Sequence, residues 1–373
     1  MRVGIITELM DERPAGMGSY VHSLVEHLLR EDKGTEYVLI HGRSGGHELY
    51  RQAEEVSVGA EGPLGRGRRK LFGYPRAMRK ARLDVVHYPD YLGPFLRRAP
   101  CASVETIHDL VPFVMPGTHK WDVNFTFRRV FPRFIVPHVD HFIAVSNNTA
   151  KDLQRYTPLG KERITVIWEA ANPIFRPVGG KHLRDVLKRH GLRPGYILSV
   201  GTLEPRKNLS RLMEAYSMLR RRGLKRPLVL AGKRGWKYDD IFRKREDLSL
   251  GDHVRHVDYV PFDDLPAIYS GASVMVYPSL YEGFGLPPLE AMACGCPVIA
   301  SNTSSLPEVV GDAGLLLDPR DVEGMARAME DVLKDKDRRD EMKAAGFDRA
   351  RRFSWSKTAR RTARLYKKLA KKD

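Results

Sequence analysis

Two glutamates, Glu282 and Glu290, bracket a glycine-bearing transition in residues 277–318, YPSLYEGFGLPPLEAMACGCPVIASNTSSLPEVVGDAGLLLD. Ser273–Tyr277 (SVMVY) is an apolar run of strand length, and Pro278 ends it. Leu286–Cys294 has helical composition, with Pro287 and Pro288 tolerable only in its first turn. Glu282 therefore sits on a loop with Gly283, Phe284 and Gly285, and Glu290 lies about a turn inside the helix. Glycines beside a helix start let backbone N–H groups approach an anion, and the helix dipole favours negative charge there. The carboxylates can accept hydrogen bonds from hydroxyls. A ligand with both phosphate and many hydroxyls, a sugar nucleotide, satisfies that mixture. For the isolated motif, a glycine-rich turn with two solvated glutamates is the simpler account.

Gly201–Asn208 (GTLEPRKN) directly follows an apolar strand and opens a helix. Cations belong at helix carboxyl ends, so Arg206 and Lys207 at a helix start call for a compensating anion. Arg can bind a diphosphate bidentately and Lys as a point charge. Thr106–Leu110 (TIHDL) ends another strand, and a lone His108 there is more often structural than chemical. Gly16 and Gly18 form a glycine turn before a helix. As a dinucleotide fingerprint it is weak, because the third glycine is missing and no acid ends the Tyr37–His41 strand. Ser146, at a strand end, either reaches an acceptor or caps the next helix. No acidic metal triad stands out, and Cys294-Gly-Cys296 is a poor metal site without a second ligand pair.

Taken together, these motifs resemble the retaining glycosyltransferases of family 4. Their donor site carries two glutamates with seven residues between them, then a small-residue helix, a G-x-P-V-I-A-S strand and an E-V-V-G-D-A-G-L-L turn. Here those are Glu282, Glu290, Gly295–Ser301 and Glu308–Leu316. The likeness covers most of the chain, strongest over 196–318 and weaker before Thr106. It implies the GT-B fold: two Rossmann-like, doubly wound α/β domains facing across a cleft. It implies a nucleotide diphosphate sugar as donor, no cofactor and no metal. By resemblance Glu282 contacts the donor sugar, with the Phe284, Gly285 and Leu286 amides near sugar and phosphate, and Glu290 holds ribose. Arg206 and Lys207 lie against the pyrophosphate with Asn208 beside them; the family's frequent G-R is Gly201-Thr202 here, so Arg206 shares that role with Lys207. His108 of the H-D pair contacts the donor sugar, Gly16 and Gly18 approach the phosphate, and Ser146 and Asp109 lie on the acceptor side. Tyr259–Pro261 lines the base. Retention is assigned in this family to same-face attack assisted by the leaving phosphate. The GTLEPRKN variant is similar to bacterial mannosyltransferases of glycan assembly, which favours GDP-mannose, with UDP-sugars next.

The elements that must position these residues come in two alternating series. Strands are expected at Arg2–Thr7, Tyr37–His41, Asp84–Tyr88, Ala102–Ile107, His141–Val145 and Ile164–Trp168. One helix places Val21, Leu24, Val25 and Leu28 on one face, and another runs from Ser146 through Tyr156. Glu169–Gly180 has no period and reads as a linker. The alternation then restarts, with strands at Tyr196–Val200, Leu228–Ala231, Val254–Asp258, Ser273–Tyr277 and Val298–Ala300. Helices are expected at Asn208–Arg221, Asp263–Ser270, Leu286–Cys294 and Val322–Lys334. Strands separated by helices argue a parallel sheet, whose ligands bind beyond the strands' carboxyl ends. Residues 1–170 form the acceptor-side domain, 171–352 the nucleotide-sugar domain, and the helix within 353–373 packs back on the first.

A chain of 373 residues fits two domains, and 42% hydrophobic with 29% charged residues is ordinary for a soluble protein. The first residues lack a signal-peptide build, and three cysteines fit a reducing, cytoplasmic setting. The net charge of +17 is concentrated: Arg66–Arg82 holds eight basic residues and no acid, and Arg351–Asp373 holds ten basic residues. With FTFRRVFPRF at Phe125–Phe134, the first of these reads as a surface for anionic lipid, the enzyme lying peripherally on the inner face of the membrane and acting on a glycan or lipid-linked acceptor. Loops around Gly62–Arg82 and Pro112–Pro137 would choose that acceptor. Charge alone suggests nucleic acid, but no binding module is present and the glutamates would go unexplained. A sugar-nucleotide epimerase or a phosphorylase of the same fold is the nearer alternative. Oligomeric state has no signature in the sequence.

Overall fold

The computed structural model describes residues 1–10, 16–42, 46–59, 65–91, 93–94, 96–118 and 124–371. Residues 62–64 of the Gly62–Arg82 loop, 119–123 of the Pro112–Pro137 loop, and Lys372 and Asp373 of the tail lie outside the described residues. The chain forms two compact units, one from 1–114, 120–169 and 354–373, the other from 115–119 and 170–353.

The first unit is built on strands β1 (Arg2–Ile6), β2 (Glu36–His41), β3 (Glu54–Ser57), β4 (Val85–Tyr88), β5 (Ala102–Ile107), β6 (His141–Ala144) and β7 (Ile164–Val166), ordered β3-β2-β1-β4-β5-β6-β7. Its central strands bury side chains on both faces, among them Val3, Ile5, Val38, Val85, Val86, Phe142 and Ile143. A parallel sheet covered by helices on both sides requires this. Helix α1 (Met17–Glu31) follows β1, and α2 (Asn147–Tyr156) follows β6.

The second unit repeats the plan with β8 (Tyr196–Val200), β9 (Leu228–Ala231), β10 (Val254–Val257), β11 (Ala272–Tyr277), β12 (Val298–Ser301) and β13 (Leu315–Leu317), ordered β10-β9-β8-β11-β12-β13. The strand pairs in both sheets are parallel. Here α3 (Leu209–Arg221), α4 (Leu265–Gly271) and α5 (Leu286–Ala293) matter most for the site. Each sheet order reverses once, between β1 and β4 and between β8 and β11. The connections leaving those two strands run to opposite sides and open a crevice beyond their carboxyl ends. The doubly wound α/β architecture expected from the sequence is present in both units.

Several elements depart from expectation for identifiable reasons. Strand β3 (EEVS) is a polar edge strand with no apolar alternation, and β13 falls in what reads as a turn. Helices Asp239–Asp247 and Lys336–Arg351 bury only Ile241 in one case and Met342 and Gly346 in the other, too few to make an apolar stripe. The two acceptor loops contain helical segments. Residues 65–80 are helical, and Thr126–Ile135 is π-helical around Pro132, which has no N–H to continue a regular ladder. Tyr74, within the Arg66–Arg82 stretch read as a lipid surface, is instead 1% exposed in a cluster with Ile6, Val38 and Met78, while Phe72 is 66% exposed.

The tail helix Trp355–Leu369 buries Trp355, Ala359, Ala363 and Tyr366 within the first unit. Polar ties fix it there. Ser356 Oγ donates to Glu31 at 2.7 Å, Thr358 Oγ1 to the Trp168 carbonyl at 2.7 Å, and Lys367 Nζ to Asp32 at 2.8 Å.

Candidate active site

In the second unit the connections leaving β8 and β11 flank the order reversal, so their residues meet. Gly201 closes β8 with φ +142°, and a Cβ there would lie 3.2 Å from Lys207 Cε. The missing side chain leaves room for the lysine to turn back over the strand end. Pro205–Lys207 makes one tight turn, Asn208 is left-handed at φ +58°, and α3 begins at Leu209. Asn208 Nδ2 donates to the Pro278 carbonyl at 3.1 Å and the Pro319 carbonyl at 2.7 Å. This buried amide ties the two connections together.

Lys207 Nζ donates to Glu282 Oε1 at 2.6 Å and to Tyr277 Oη at 2.6 Å. Arg206 Nη1 lies 2.6 Å from Glu282 Oε2 and donates to the Tyr281 carbonyl at 2.7 Å; its Nη2 donates to Glu204 at 2.6 Å. The anion demanded by two cations before a helix is thus supplied within the chain, by Glu282 and Glu204. Burial alone would push the Glu282 carboxyl up, but Arg206 and Lys207 outweigh it and bring it down to about 2. The Glu282 loop is held by Ser304, whose Oγ accepts from Glu282 N, and by Ser305, whose Oγ donates to the Glu282 and Phe284 carbonyls.

Phe284 is buried with its ring edge-on to Phe353 at 5.8 Å. Gly285 has φ +117°, and a Cβ there would stand 2.8 Å from Leu306 Cδ2, so this position needs glycine on both counts. Leu286 opens α5, and Glu290, half-buried one turn on, accepts a 2.8 Å hydrogen bond from Tyr269 Oη. Tyr259 of the expected base-lining segment is 41% exposed under Lys233 Nζ, while Val260 is buried.

The first unit presents a separate group. His108 follows β5 with Nδ1 2.9 Å from Glu169 Oε1 and Nε2 2.8 Å from the Pro89 carbonyl. Burial opposes a charge on this ring, but the hydrogen bond and charge of Glu169, then Pro89 and Asp109, raise it above its ordinary value. Tyr20, one turn into α1, meets the ring edge-on at 4.6 Å. Gly16 and Gly18 open that helix. Asp109 Oδ1 accepts from Val111 N, and its backbone N–H donates to Tyr91 Oη at 2.8 Å. Ser146 is fully buried and caps α2, accepting from Thr149 N at 3.0 Å; of its two alternatives the cap is the one seen.

The structure therefore joins Arg206, Lys207 and Glu282 directly, with Asn208 as their brace and Glu290 on the following helix. Sequence reasoning missed Tyr277, Tyr269, Glu204 and Glu169. Tyr277 had a usable signal, a hydroxyl at the last position of the strand leading into the Glu282 loop; Glu169 lay inside an apparent linker. Among the described residues no cluster of three or more His, Cys, Asp or Glu could hold a metal ion. Cys294 and Cys296 are buried, and none of the three cysteines forms a disulfide.

Comparison with known proteins bears on the family and the fold. Residues 187–349 match the model of the Glycosyl transferases group 1, and residues 14–173 that of Glycosyltransferase Family 4. The chain is 34% identical to O-antigen chain mannosyltransferase B of Escherichia coli, covering 99% of this chain and 100% of the relative. Among solved structures it is similar to sucrose-phosphate synthase from Thermosynechococcus elongatus, TM-score 0.77 at 22% identity over all of both chains. It is likewise similar to Anabaena HepE, solved in complex with UDP and glucose, TM-score 0.74 at 16% identity over 99% of this chain and all of the other. With two doubly wound units and a relative matched end to end, the chain belongs to the group 1, family 4 glycosyltransferases and is a transferase of the GT-B fold.

Proposed function

We propose that the protein moves mannose, with retention of configuration, from GDP-mannose to a hydroxyl of a glycan or lipid-linked acceptor. The observation that carries this reading is the Arg206–Lys207–Glu282 cluster at the order reversal of the second sheet. It places two cations and a carboxylate where α/β sheets bind nucleotides. The mannosyl choice rests on the O-antigen mannosyltransferase relative. The UDP complex of HepE keeps a UDP-sugar as the second donor.

In this reading the diphosphate competes with Glu282 for Arg206 and Lys207. Taking those cations, it frees the carboxylate for the hexose hydroxyls. Negative charge grows on the leaving diphosphate as the glycosidic bond breaks, and fixed cations stabilise that charge most in the transition state. The acceptor hydroxyl attacks from the leaving-group face and passes its proton to a departing phosphate oxygen, so no side-chain nucleophile is assigned. Glu290, steadied by Tyr269, holds the ribose. Arg206 and Lys207 carry the charge neutralisation that other transferases give to a metal.

We place the enzyme on the cytoplasmic face of an anionic membrane. Along one stretch of the first unit Phe72 is exposed with Arg68, Arg76 and Arg79, and along another Phe125 and Phe134 are exposed with Arg128, Arg129 and Arg133. No helix of the described residues is long and apolar enough to cross a membrane.

A thermal-shift panel of GDP-, UDP- and ADP-sugars tests the donor. A ligand at a hundred times its Kd adds about 2.7 kcal/mol of stability. GDP-mannose should give the largest shift. The anomeric configuration of the product, read by NMR, tests retention. No shift with any nucleotide sugar would overturn the reading.

A further inference from the structure

We propose that Glu169 is a positioning residue for His108 at the carboxyl end of β5, holding it as an imidazolium clamped between the Glu169 carboxylate and the Pro89 carbonyl, so that the ring is fixed by two hydrogen bonds and takes no part in proton transfer. Its activity test rests on the reading above, with His108 taken to contact the donor as the resemblance of its H-D pair implies.

A backbone carbonyl can only accept, so His108 Nε2 donates to Pro89 across 2.8 Å. An ionised carboxylate also only accepts, so Nδ1 donates to Glu169 across 2.9 Å. A neutral imidazole has one N–H, and two simultaneous donations require the doubly protonated ring. Both side chains are nearly out of solvent, 11% exposed for His108 and 5% for Glu169. Each buried charge therefore depends on the other, since an isolated one would be strongly disfavoured.

The surroundings agree from every side. Asp109, next in the chain, adds negative charge, and Tyr20 and Tyr91 bring ring edges from α1 and from the connection after β4. His87 on β4 would oppose a second cation, but burial holds it neutral, down to about 3. Its nitrogens are hydrogen-bonded to Tyr366 at 2.6 Å and Thr106 at 2.8 Å, which ties this group to the tail helix.

The sign of the pH effect follows. A group whose value is raised in the folded protein stabilises below its unfolded value, and that contribution is lost as pH rises through the folded value. When His108 loses a proton, one of its two acceptors loses its donor. If that acceptor is Pro89, the connection after β4 is released. The expected alkaline fall of activity would then report the loosening of His108, not the titration of a catalytic base.

Nitrogen-resolved NMR of histidine-labelled wild-type protein, with His108 assigned through His108→Gln, should show both ring nitrogens protonated near neutral pH. In Glu169→Gln the His108 midpoint should drop by about one to three pH units, as loss of an adjacent opposite charge does. GDP release from GDP-mannose with a short mannoside acceptor should lose its alkaline limb at correspondingly lower pH. The drop should be mainly in kcat, with Glu169→Asp restoring part of it. A merely structural Glu169 would lower the melting temperature and leave the midpoint and pH profile in place. That result, or a wild-type ring carrying a single proton, overturns the proposal, and the second needs no variant to fold. Calorimetry with free GDP separates the two readings: if wild type binds no nucleotide, the donor assignment fails while the NMR result stands.

Discussion

Lys207 and Glu282, 75 residues apart in sequence, meet in a 2.6 Å ion pair with both side chains about nine-tenths buried. They come from the two connections that diverge at the reversal of the second sheet, and the Asn208 amide fixes the distance between those connections. Truncating one partner of a buried pair leaves the other charge uncompensated, at a cost of about 3–5 kcal/mol. Here Arg206 still holds Glu282, so Lys207→Ala should fall at the lower end of that range. The double variant Lys207→Met with Glu282→Gln should recover part of the loss while remaining inactive. Urea denaturation of wild type, Lys207→Met, Glu282→Gln and the double variant checks this; additive losses would show that the pair is not energetically coupled.

The same pair gives the protein an acid limit. Glu282 lies below its ordinary 4.5 when folded, at about 2. A depressed carboxylate stabilises above the unfolded value, and its contribution disappears as pH falls through the folded one. Stability should therefore decline between about 4.5 and about 2, and Glu282→Gln should flatten that part of the curve. An identical acid profile in both proteins would mean that other carboxylates govern the limit.

Gly285 is a sharper test of the loop. Alanine there meets both a positive φ of +117° and a contact at 2.8 Å with Leu306. Left-handed backbone alone costs a non-glycine residue about 1–2 kcal/mol. Gly285→Ala should lose at least that much in denaturation and weaken nucleotide binding as well, because the glycine connects Glu282 to the helix bearing Glu290. Gly179→Ala, at an open position with extended backbone, is the control.

What could be read in the sequence was whatever has a short period or a local grammar. Ser273–Tyr277, Tyr196–Val200 and the glycine-proline transition at Gly285–Pro288 announce strand, strand and helix start without reference to anything distant. The Glu282 and Lys207 motifs were visible for the same reason. Their union was not, because it depends on strand order, which brings β8 beside β11 across an intervening pair of strands. Charge arithmetic at Arg206 and Lys207 pointed to an external anion and gave no sign that Glu282 and Glu204, from within the chain, also pair with these cations. Glu169 was illegible because its partner His108 lies 61 residues away and its own neighbourhood has no period.

Membrane attachment has an assay of its own. Exposed Phe72, Phe125 and Phe134 can enter the interface, while each nearby Lys or Arg contributes about 1 kcal/mol against an anionic surface. Co-sedimentation with phosphatidylglycerol vesicles at low salt should exceed that with neutral vesicles and fall in the triple Phe→Ser variant. Tyr74→Phe, which alters only a buried ring, should leave it unchanged. Equal binding to both vesicle types would remove the membrane from the proposal.

The two glutamates should separate by what each mutation leaves intact. If Glu290 holds ribose hydroxyls, that contact is equal in ground and transition states, which is uniform binding. Glu290→Gln should then raise the donor KM and weaken free GDP alike, by about ten- to a hundredfold for a lost charged hydrogen bond. Tyr269→Phe, which removes only the 2.8 Å bond orienting Glu290, should act in the same direction but more weakly. Glu282, assigned to the hexose, faces a ring on which positive charge develops during transfer, so Glu282→Gln should cut kcat more than KM. Its effect on free GDP has a definite sign. The diphosphate must displace Glu282 from Lys207 and Arg206, so a neutral Gln competes less and GDP should bind as tightly as to wild type or more tightly. Calorimetric titration of GDP into the three variants measures the nucleotide affinities without an acceptor, and initial rates with a mannoside acceptor supply kcat and KM. Weaker GDP binding by Glu282→Gln alongside unchanged binding by Glu290→Gln would reverse the two assignments.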